Sequence, residues 1–174
     1  MKKLSNITES IWSDMEDRGT GDVIKNEDEC ITNIKNLVPI DLGGSVLWAD
    51  RDLELQDETV YFTFRDVADI KKGEWRLPTK KEANEIFSKQ NMKHKSNGDY
   101  VIMDKLVFTP RGYVSGMLNI KYDVGKYYSW TSTQTEENGL SIRLYAITID
   151  GTVTHISTSM HSDNKICVRL VKDK

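Results

Sequence analysis

Residues 74–82, which read Glu-Trp-Arg-Leu-Pro-Thr-Lys-Lys-Glu, constrain the fold more than any other stretch. Pro78 disfavours helical dihedrals at Leu77, so the chain reaches this point in an extended conformation. Thr79 is suited to an N-cap, because its hydroxyl can accept a hydrogen bond from a free backbone N–H while Glu82 reaches back to its amide. The stretch therefore predicts a corner at which a strand-like segment turns into a helix.

The helix predicted after this corner has one stripe that faces the core. Its members recur at helical spacing: Ala83, Ile86, Phe87 and Gln90. Trp75 and Leu77 precede the cap and are expected to pack under the stripe. None of these residues is an obvious catalyst, so the corner predicts architecture rather than chemistry.

The charge of the chain is unevenly distributed. The 174 residues suffice for one domain with a core and an appendage. The net charge of −3 and the pI of about 5.7 argue against a protein that binds nucleic acid by neutralising phosphates. Residues 1–38 carry five basic and eight acidic side chains, whereas the remainder carries 19 of each. The first segment is therefore electrostatically distinct from the rest.

The sequence gives no sign of a membrane anchor or a signal peptide. No apolar run approaches membrane-spanning length, which predicts no membrane insertion. Polar residues follow the basic start where a signal peptide would be apolar, which predicts no secretion by the common route. Cys30 and Cys167 are then expected to be free thiols. Cys167 lies in an apolar alternation and is interpreted as a small core residue, the alternative being a nucleophile that works with a histidine.

Residues 4–17 are predicted to form an amphipathic helix. Its apolar stripe consists of Leu4, Ile7, Ile11, Trp12 and Met15. A short helix with one narrow stripe is marginal alone in water, so the stripe must be buried against its own domain, other copies of the chain or a different protein. A hinge is predicted over residues 19–30 and a short helix at about 28–37. The predicted boundary between appendage and domain therefore lies at residues 38 and 39.

From residue 40 onward, short strand-like runs surround two predicted helices. Thr63 and Asp66 form a second cap pair, which opens a helix that Gly73 closes. Asp150 and Gly151 predict a two-residue hairpin turn. Strands are predicted at 45–49, 60–62, 101–103, 106–108, 140–149, 153–159 and, with one buried face, 166–171. Polar loops are predicted at 50–58, 91–99 and 134–139. This order predicts an α+β fold with an antiparallel sheet rather than a parallel βαβ fold.

Five motifs in residues 39–174 occur in an order that resembles a bacterial paralogous family called FISUMP. They read DLGGSVLWA, FTFRDVADIKKGEWRLPTKKEANEI, LVFTPRGYVSG, YYSWTST and ICVRLV. The family resembles a branch of the C-type-lectin-like fold. The resemblance implies two helices flanking a twisted antiparallel sheet, with the first and last strands of the domain side by side.

The N-terminal segment resembles a different group. LSNITESIWSDMEDRGTGD is similar to segments found in phages that infect gut bacteria, where it looks like a docking helix that attaches a module to the tail. The resemblance implies that residues 1–20 contact other virion proteins of the tail or capsid. It also implies a protein made in the host cytoplasm and carried on the virion.

No catalytic, metal or cofactor site is predicted. Formylglycine-generating relatives of the fold use reactive cysteines, whereas Cys167 is the single cysteine of residues 39–174. The sugar-binding runs of calcium-dependent lectins are absent, and the acidic residues of the 50–58 loop, Asp50, Asp52, Asp57 and Glu58, are interpreted as solvated rather than as Ca²⁺ ligands. The three histidines, His94, His155 and His161, have no metal-ligand spacing.

The aromatic and hydroxyl-rich run at 127–133 is the most site-like part of the sequence. Exposed Tyr and Trp side chains stack on sugars or anchor protein partners at low entropic cost. The candidate binding residues are Tyr127, Tyr128, Trp130, Arg111 and Tyr113, with the 134–139 loop on the same face. The alternative for Trp130 is a place in the core under the sheet.

Two classes of function follow from these patterns. The first is a non-enzymatic virion component of a tailed phage, docked by its N-terminal helix, whose lectin-like domain binds a glycan or protein of the host surface. The alternative is a bacterial carbohydrate- or protein-binding module with no virion role. A formylglycine-type oxidase is a third hypothesis and depends on Cys167. The sequence leaves the ligand and the oligomeric state open, and a homotrimer would suit a phage adhesin by analogy.

Overall fold

The computed structural model describes residues 34–54, 61–70, 73–87, 92–137, 141–151 and 153–174. All of them belong to the unit Ile31–Lys174. The predicted helix over 4–17, with its stripe Leu4, Ile7, Ile11, Trp12 and Met15, lies outside the described residues, as do Cys30, Asp57, Glu58 and Gln90. The predicted division at residues 38 and 39 stays a prediction.

The described residues form small antiparallel sheets and short helices. The strands are β1 Pro39–Asp41, β2 Val46–Ala49, β3 Met92–His94, β4 Tyr100–Ile102, β5 Leu106–Phe108, β6 Tyr113–Val114, β7 Lys121–Tyr122, β8 Tyr127–Glu137, β9 Ser141–Asp150, β10 Val153–Met160 and β11 Val171–Asp173. The helices are α1 Phe64–Val67, α2 Lys80–Phe87 and a 3₁₀ turn at Ile34–Asn36. This sheet-rich α+β arrangement confirms the predicted class.

The strands pair in four groups. β2 lies between β1 and β11, β9 lies between β8 and β10, β4 lies between β3 and β5, and β6 pairs with β7. The last strand, β11, runs antiparallel to β2, which is the first strand predicted from the sequence, with Val171 opposite Trp48, whereas β1 lies on the other edge of β2.

The predicted corner is present and is tied to the last strand. The amide of Thr79 donates to the Glu82 carboxylate at 2.7 Å, and the Thr79 hydroxyl accepts from the Glu82 amide at 3.2 Å. The Arg76 guanidinium donates to both Glu82 oxygens at 2.8 and 3.0 Å and to Asp173 at 2.6 Å. Burial works to raise the pKa of Glu82, but the hydrogen bonds from Arg76 and Thr79 outweigh it and hold this pKa below its ordinary value.

The second predicted cap is also present. The amide of Thr63 donates to the Asp66 carboxylate at 2.8 Å, and its hydroxyl accepts from the Asp66 amide at 3.3 Å. Helix α1 is shorter than predicted, since it covers only one turn before Gly73 adopts a φ of 65°.

One buried polar centre joins distant parts of the chain. The guanidinium of Arg169 donates to Asp52 Oδ1 at 2.7 Å, to the Ala49 carbonyl at 3.1 Å and to the Val107 carbonyl at 2.9 Å. The Tyr127 hydroxyl donates to the same Asp52 oxygen at 2.7 Å. The prediction that Asp52 lies in a solvated loop was therefore wrong, because its carboxylate is the buried counterion of Arg169.

The predicted alternation at 166–171 was also wrong, because all six side chains are buried. Residues 49–53 cover one side of this segment, where the amides of Ala49 and Leu53 donate to the Leu170 and Val168 carbonyls at 2.9 and 2.8 Å. Strand β8 covers the other side, where Ser129 bridges Cys167. These neighbours occupy the two hydrogen-bonding edges of the segment, and the burial of all six side chains shows that both of its faces are covered too, which leaves no solvent face for polar residues.

Three predicted loops differ in detail from the structure. The predicted loop at 91–99 contains β3, and residues 134–137 of the predicted loop at 134–139 belong to β8, which continues to Glu137. The predicted turn at Asp150 and Gly151 is displaced, because Asp150 is the last residue of β9 and pairs with Val153 of β10.

Candidate binding surface

The segment 111–126, called here the hairpin, is closed on itself by one glycine and held close to the body of the domain by another. Gly112 has a φ of 68°, and a Cβ there would overlap the carbonyl oxygen of Tyr122. A Cβ on Gly116 would overlap the backbone carbonyl of Asp163. Only glycine permits such close approach of two backbones without displacement. The hairpin is therefore fixed both at its base and near its tip.

Three tyrosines form one face of the hairpin, called here the tyrosine face. Tyr113 lies opposite Tyr122, and their rings stack with centroids 5.4 Å apart. The Tyr128 ring meets the Tyr113 ring edge-on at 5.6 Å. The Tyr128 hydroxyl donates to Asp123 at 2.8 Å, and burial together with this bond raises the pKa of Tyr128. Tyr122 is the member of this face with the most exposed ring.

The tip of the hairpin carries apolar side chains that point into solvent. The exposed fractions are 92% for Met117, 57% for Leu118, 51% for Ile120 and 62% for Val124. With Tyr122, five of the seven exposed large hydrophobic residues among the described ones fall within 117–124. Single exposed apolar residues are ordinary, but a contiguous group marks an interaction surface.

A row of cationic residues crosses the base of the hairpin. Val114 pairs with Lys121 on one side and with Lys165 on the other. The Lys121 ammonium lies 5.4 Å from the centre of the Tyr61 ring. The Tyr61 hydroxyl in turn donates to the Arg111 carbonyl at 2.6 Å. Arg111, Lys121 and Lys165 are called here the cationic row.

The structure divides the predicted binding residues into two groups. Arg111, Tyr113 and Tyr128 lie together in and beside the hairpin, where Arg111 is exposed, Tyr113 is half-buried and Tyr128 is buried. Tyr127 and Trp130 are fully buried, so their prediction as binding residues was wrong. The Trp130 indole N–H donates to the Phe62 carbonyl at 2.8 Å, and this confirms the alternative of a core position.

Sequence reasoning missed the exposed residues of the hairpin. Its tip and edge consist of Met117, Leu118, Ile120, Lys121, Tyr122 and Val124. The apolar residues at 117–124 follow neither helical nor strand periodicity and lie between Gly116 and Gly125. An aperiodic apolar run enclosed by glycines was the available signal, because such residues cannot all face a core.

Cys167, His94 and His161 lie outside the hairpin, and their neighbours in the structure do not form a reactive site. Cys167 is buried, and burial raises the pKa of its thiol, which disfavours the reactive thiolate. His94 stacks on Tyr100 at 4.9 Å, and His161 lies 3.6 Å from Asp163. Over the part of the chain that the structure describes, no group of three His, Cys, Asp or Glu side chains is placed to hold a metal ion.

Comparison of the chain with protein-family models, with curated proteins and with solved structures gives no match. The similarity to FISUMP domains and to phage docking segments therefore stays a prediction from the motifs. Among the described residues, each helix is too short or too polar to cross a membrane.

Proposed function

We propose that this chain is a non-enzymatic, virion-associated binding protein of a tailed phage. Residues 1–38 dock it to tail or capsid proteins, and residues 39–174 form a C-type-lectin-like domain of the FISUMP type. The hairpin is the surface that binds the host. The observation that carries the proposal is the concentration of exposed apolar side chains at 117–124 on a backbone segment fixed by Gly112 and Gly116.

The fixed backbone supports a role in binding. Ordering a flexible loop on contact with a partner costs conformational entropy, whereas a preorganised surface avoids much of that cost. The Gly112 amide donates to the Lys126 carbonyl at 2.8 Å, and the Ser115 amide donates to the Ile120 carbonyl at 2.9 Å. Both bonds hold the apolar tip in one arrangement.

The surroundings of Cys167 support a role without catalysis. A thiol that oxidises a substrate must be reachable and readily ionised. Cys167 is buried beside Ser129 in the core, and the pKa of its thiol is raised. Its position is that of a small core residue.

A bacterial carbohydrate- or protein-binding module without a virion role is the second candidate. The stacked pair Tyr113 and Tyr122 favours it, because an exposed tyrosine ring presents a flat apolar face to a sugar. The two candidates share the hairpin and differ in what residues 1–38 do.

Purified phage particles test the virion role. Mass spectrometry should detect the chain in particles, and deletion of residues 1–20 should remove it from particles while the expressed protein stays folded by circular dichroism. Incorporation of the deletion variant would contradict docking by this segment. Absence of the intact chain from particles would favour the second candidate.

Adsorption to host cells tests the hairpin. Particles that carry Leu118→Ser with Ile120→Ser should incorporate the protein normally and adsorb less, since both side chains are more than half exposed. Val107→Ser is the matched control, because Val107 is an exposed apolar residue outside the hairpin. Equal adsorption by both variants would show that the hairpin does not bind the host.

A further inference from the structure

The cationic row places two ammonium groups on one face of three neighbouring strands. Val114 and Lys165 exchange both backbone hydrogen bonds at 2.9 Å, and Val114 also lies opposite Lys121. Side chains of directly paired residues project from the same face. The two lysines therefore flank Val114, separated by two inter-strand spacings, or about 10 Å between their backbones.

Tyr61 lies beside this face and joins it to the start of the hairpin. Its ring lies under the Lys121 ammonium, and its hydroxyl donates to the backbone carbonyl of Arg111, whose side chain is exposed. Arg111 and Lys121 are both near enough to Cys167 for their charges to act on its thiol, although burial dominates the pKa there.

The cations of this row differ from their neighbour Lys126 in their ion pairs with the described residues. In the described segments no carboxylate forms an ion pair with Arg111, Lys121 or Lys165, whereas Lys126, which lies beside them in the hairpin, pairs with Asp150 at 3.2 Å. Like charges that are held close together repel each other, and a bound anion relieves that repulsion.

We infer that the cationic row, with the ring of Tyr61, binds an acidic polysaccharide whose successive sugars carry carboxylate or sulfate groups. The spacing of Lys121 and Lys165 suits charges repeated along a chain better than one small anion. The half-buried ring of Tyr61, which lies under the Lys121 ammonium, offers an apolar face for a sugar next to that charge. This inference rests on the proposed binding role of the hairpin and names its ligand class.

The test uses the full chain and four probes: polygalacturonate as a carboxylated polysaccharide, heparin as a sulfated one, dextran as a neutral one and duplex DNA. Titration calorimetry at low salt should show binding to polygalacturonate or heparin, weaker binding to DNA and none to dextran. Lys121→Gln with Lys165→Gln should weaken the binding about tenfold, since hydrogen bonds between charged partners are the stronger ones.

The matched control is Lys93→Gln with Lys95→Gln, which removes two charges from another exposed site. Equal weakening by both double variants would overturn the inference, because the effect would then follow net charge alone. Tighter binding to DNA, or equal binding to dextran, would also overturn it. Thermal unfolding confirms that each variant is folded.

The outcomes separate this inference from the proposed function. If neither acidic polysaccharide binds but Leu118→Ser with Ile120→Ser still reduces adsorption, the ligand class is wrong and the binding role of the hairpin stands. If the polysaccharides bind but the chain is absent from particles, the virion role fails and the ligand class stands.

Discussion

Arg169 and Arg111 carry the same charge in one domain, but their surroundings are opposite. The Arg169 guanidinium lies in the core between Asp52, two backbone carbonyls and the ring of Phe108, whose centre is 4.7 Å away. Arg111 is exposed beside two other cations, and the described part of the chain supplies no carboxylate partner for it. The first arrangement stabilises the fold, whereas the second leaves a charge available to a ligand.

Two adjacent tyrosines repeat this contrast between core and hairpin. Tyr127 is buried and donates to the Asp52 carboxylate that neutralises Arg169. Tyr128, the next residue, donates to Asp123 and contacts the tyrosine face. Neighbours in a strand point to opposite sides, so these two adjacent tyrosines, although both buried, contact different parts of the domain. The side chains of Arg169, Asp52 and Tyr127 have their partners within the domain, whereas the tip of the hairpin offers side chains to solvent.

The largest expected effect tests the buried side of the comparison. Arg169→Ala should lower the free energy of unfolding by about 3–5 kcal/mol, because Asp52 stays buried without its cation. Arg111→Ala removes the same charge from an exposed position and should change this free energy by no more than about 0.5 kcal/mol. Urea unfolding followed by tryptophan fluorescence measures both. Similar losses of unfolding free energy in the two variants would show that Arg169 does not stabilise the fold more than the exposed Arg111.

The second effect tests the attachment of the hairpin to the body. Gly116→Ala should cost about 1–3 kcal/mol of unfolding free energy, because its Cβ overlaps the backbone of Asp163 and one of the two must move. Amide exchange should become faster at 113–122. Gly125→Ala is the control, since a Cβ there meets open space. No change in Gly116→Ala would mean that the tip is not held by this contact.

The third effect is a pH dependence of the corner. The folded pKa of Glu82 lies below its ordinary value of 4.5, so its ionised form contributes stability above pH 4.5 that is lost as the pH falls through the folded pKa. Glu82→Gln should therefore be less stable at pH 7, by about 1 kcal/mol, and should lose less stability than the parent between pH 4.5 and pH 2.5.

Urea unfolding at several pH values checks this expectation. Glu74→Gln is the control, because Glu74 is exposed and pairs with Lys172 outside the cap. A parent and a Glu82→Gln variant with parallel pH profiles would show that the capping carboxylate does not contribute to acid sensitivity.

The corner could be predicted from the sequence because its determinants are local. Pro78, Thr79 and Glu82 specify an extended arrival, a cap and its partner within five residues, and the structure contains each contact. The second partner of Glu82 could not be predicted, since Arg76 is oriented by pairing with Val171, which is distant in sequence. Residues close in sequence determine the helix cap, whereas strand pairing between distant residues determines that Arg76 also contacts Glu82.

The binding surface was predicted less well for the same reason. Tyr127 and Trp130 are chemically suited to binding, and only their place between β9 and the buried segment 166–169 assigns them to the core. Arg111 and Tyr113 of the hairpin were predicted, but its apolar tip was overlooked because those residues are aperiodic, and periodicity is the usual sequence signal for a folded element. Exposure depends on long-range packing, which short-range patterns do not specify.

The smallest stability effect is expected at the tip. Met117→Ser should change the free energy of unfolding by less than about 0.5 kcal/mol, because a side chain that is 92% exposed loses almost no packing. The same variant should lower adsorption of particles to host cells if the tip enters an apolar site on the partner. Val107→Ser, outside the hairpin, should leave adsorption unchanged. A Met117→Ser protein that is destabilised like a core variant would show that the tip packs within the domain, and the distinction between core and hairpin would then fail at its most exposed residue.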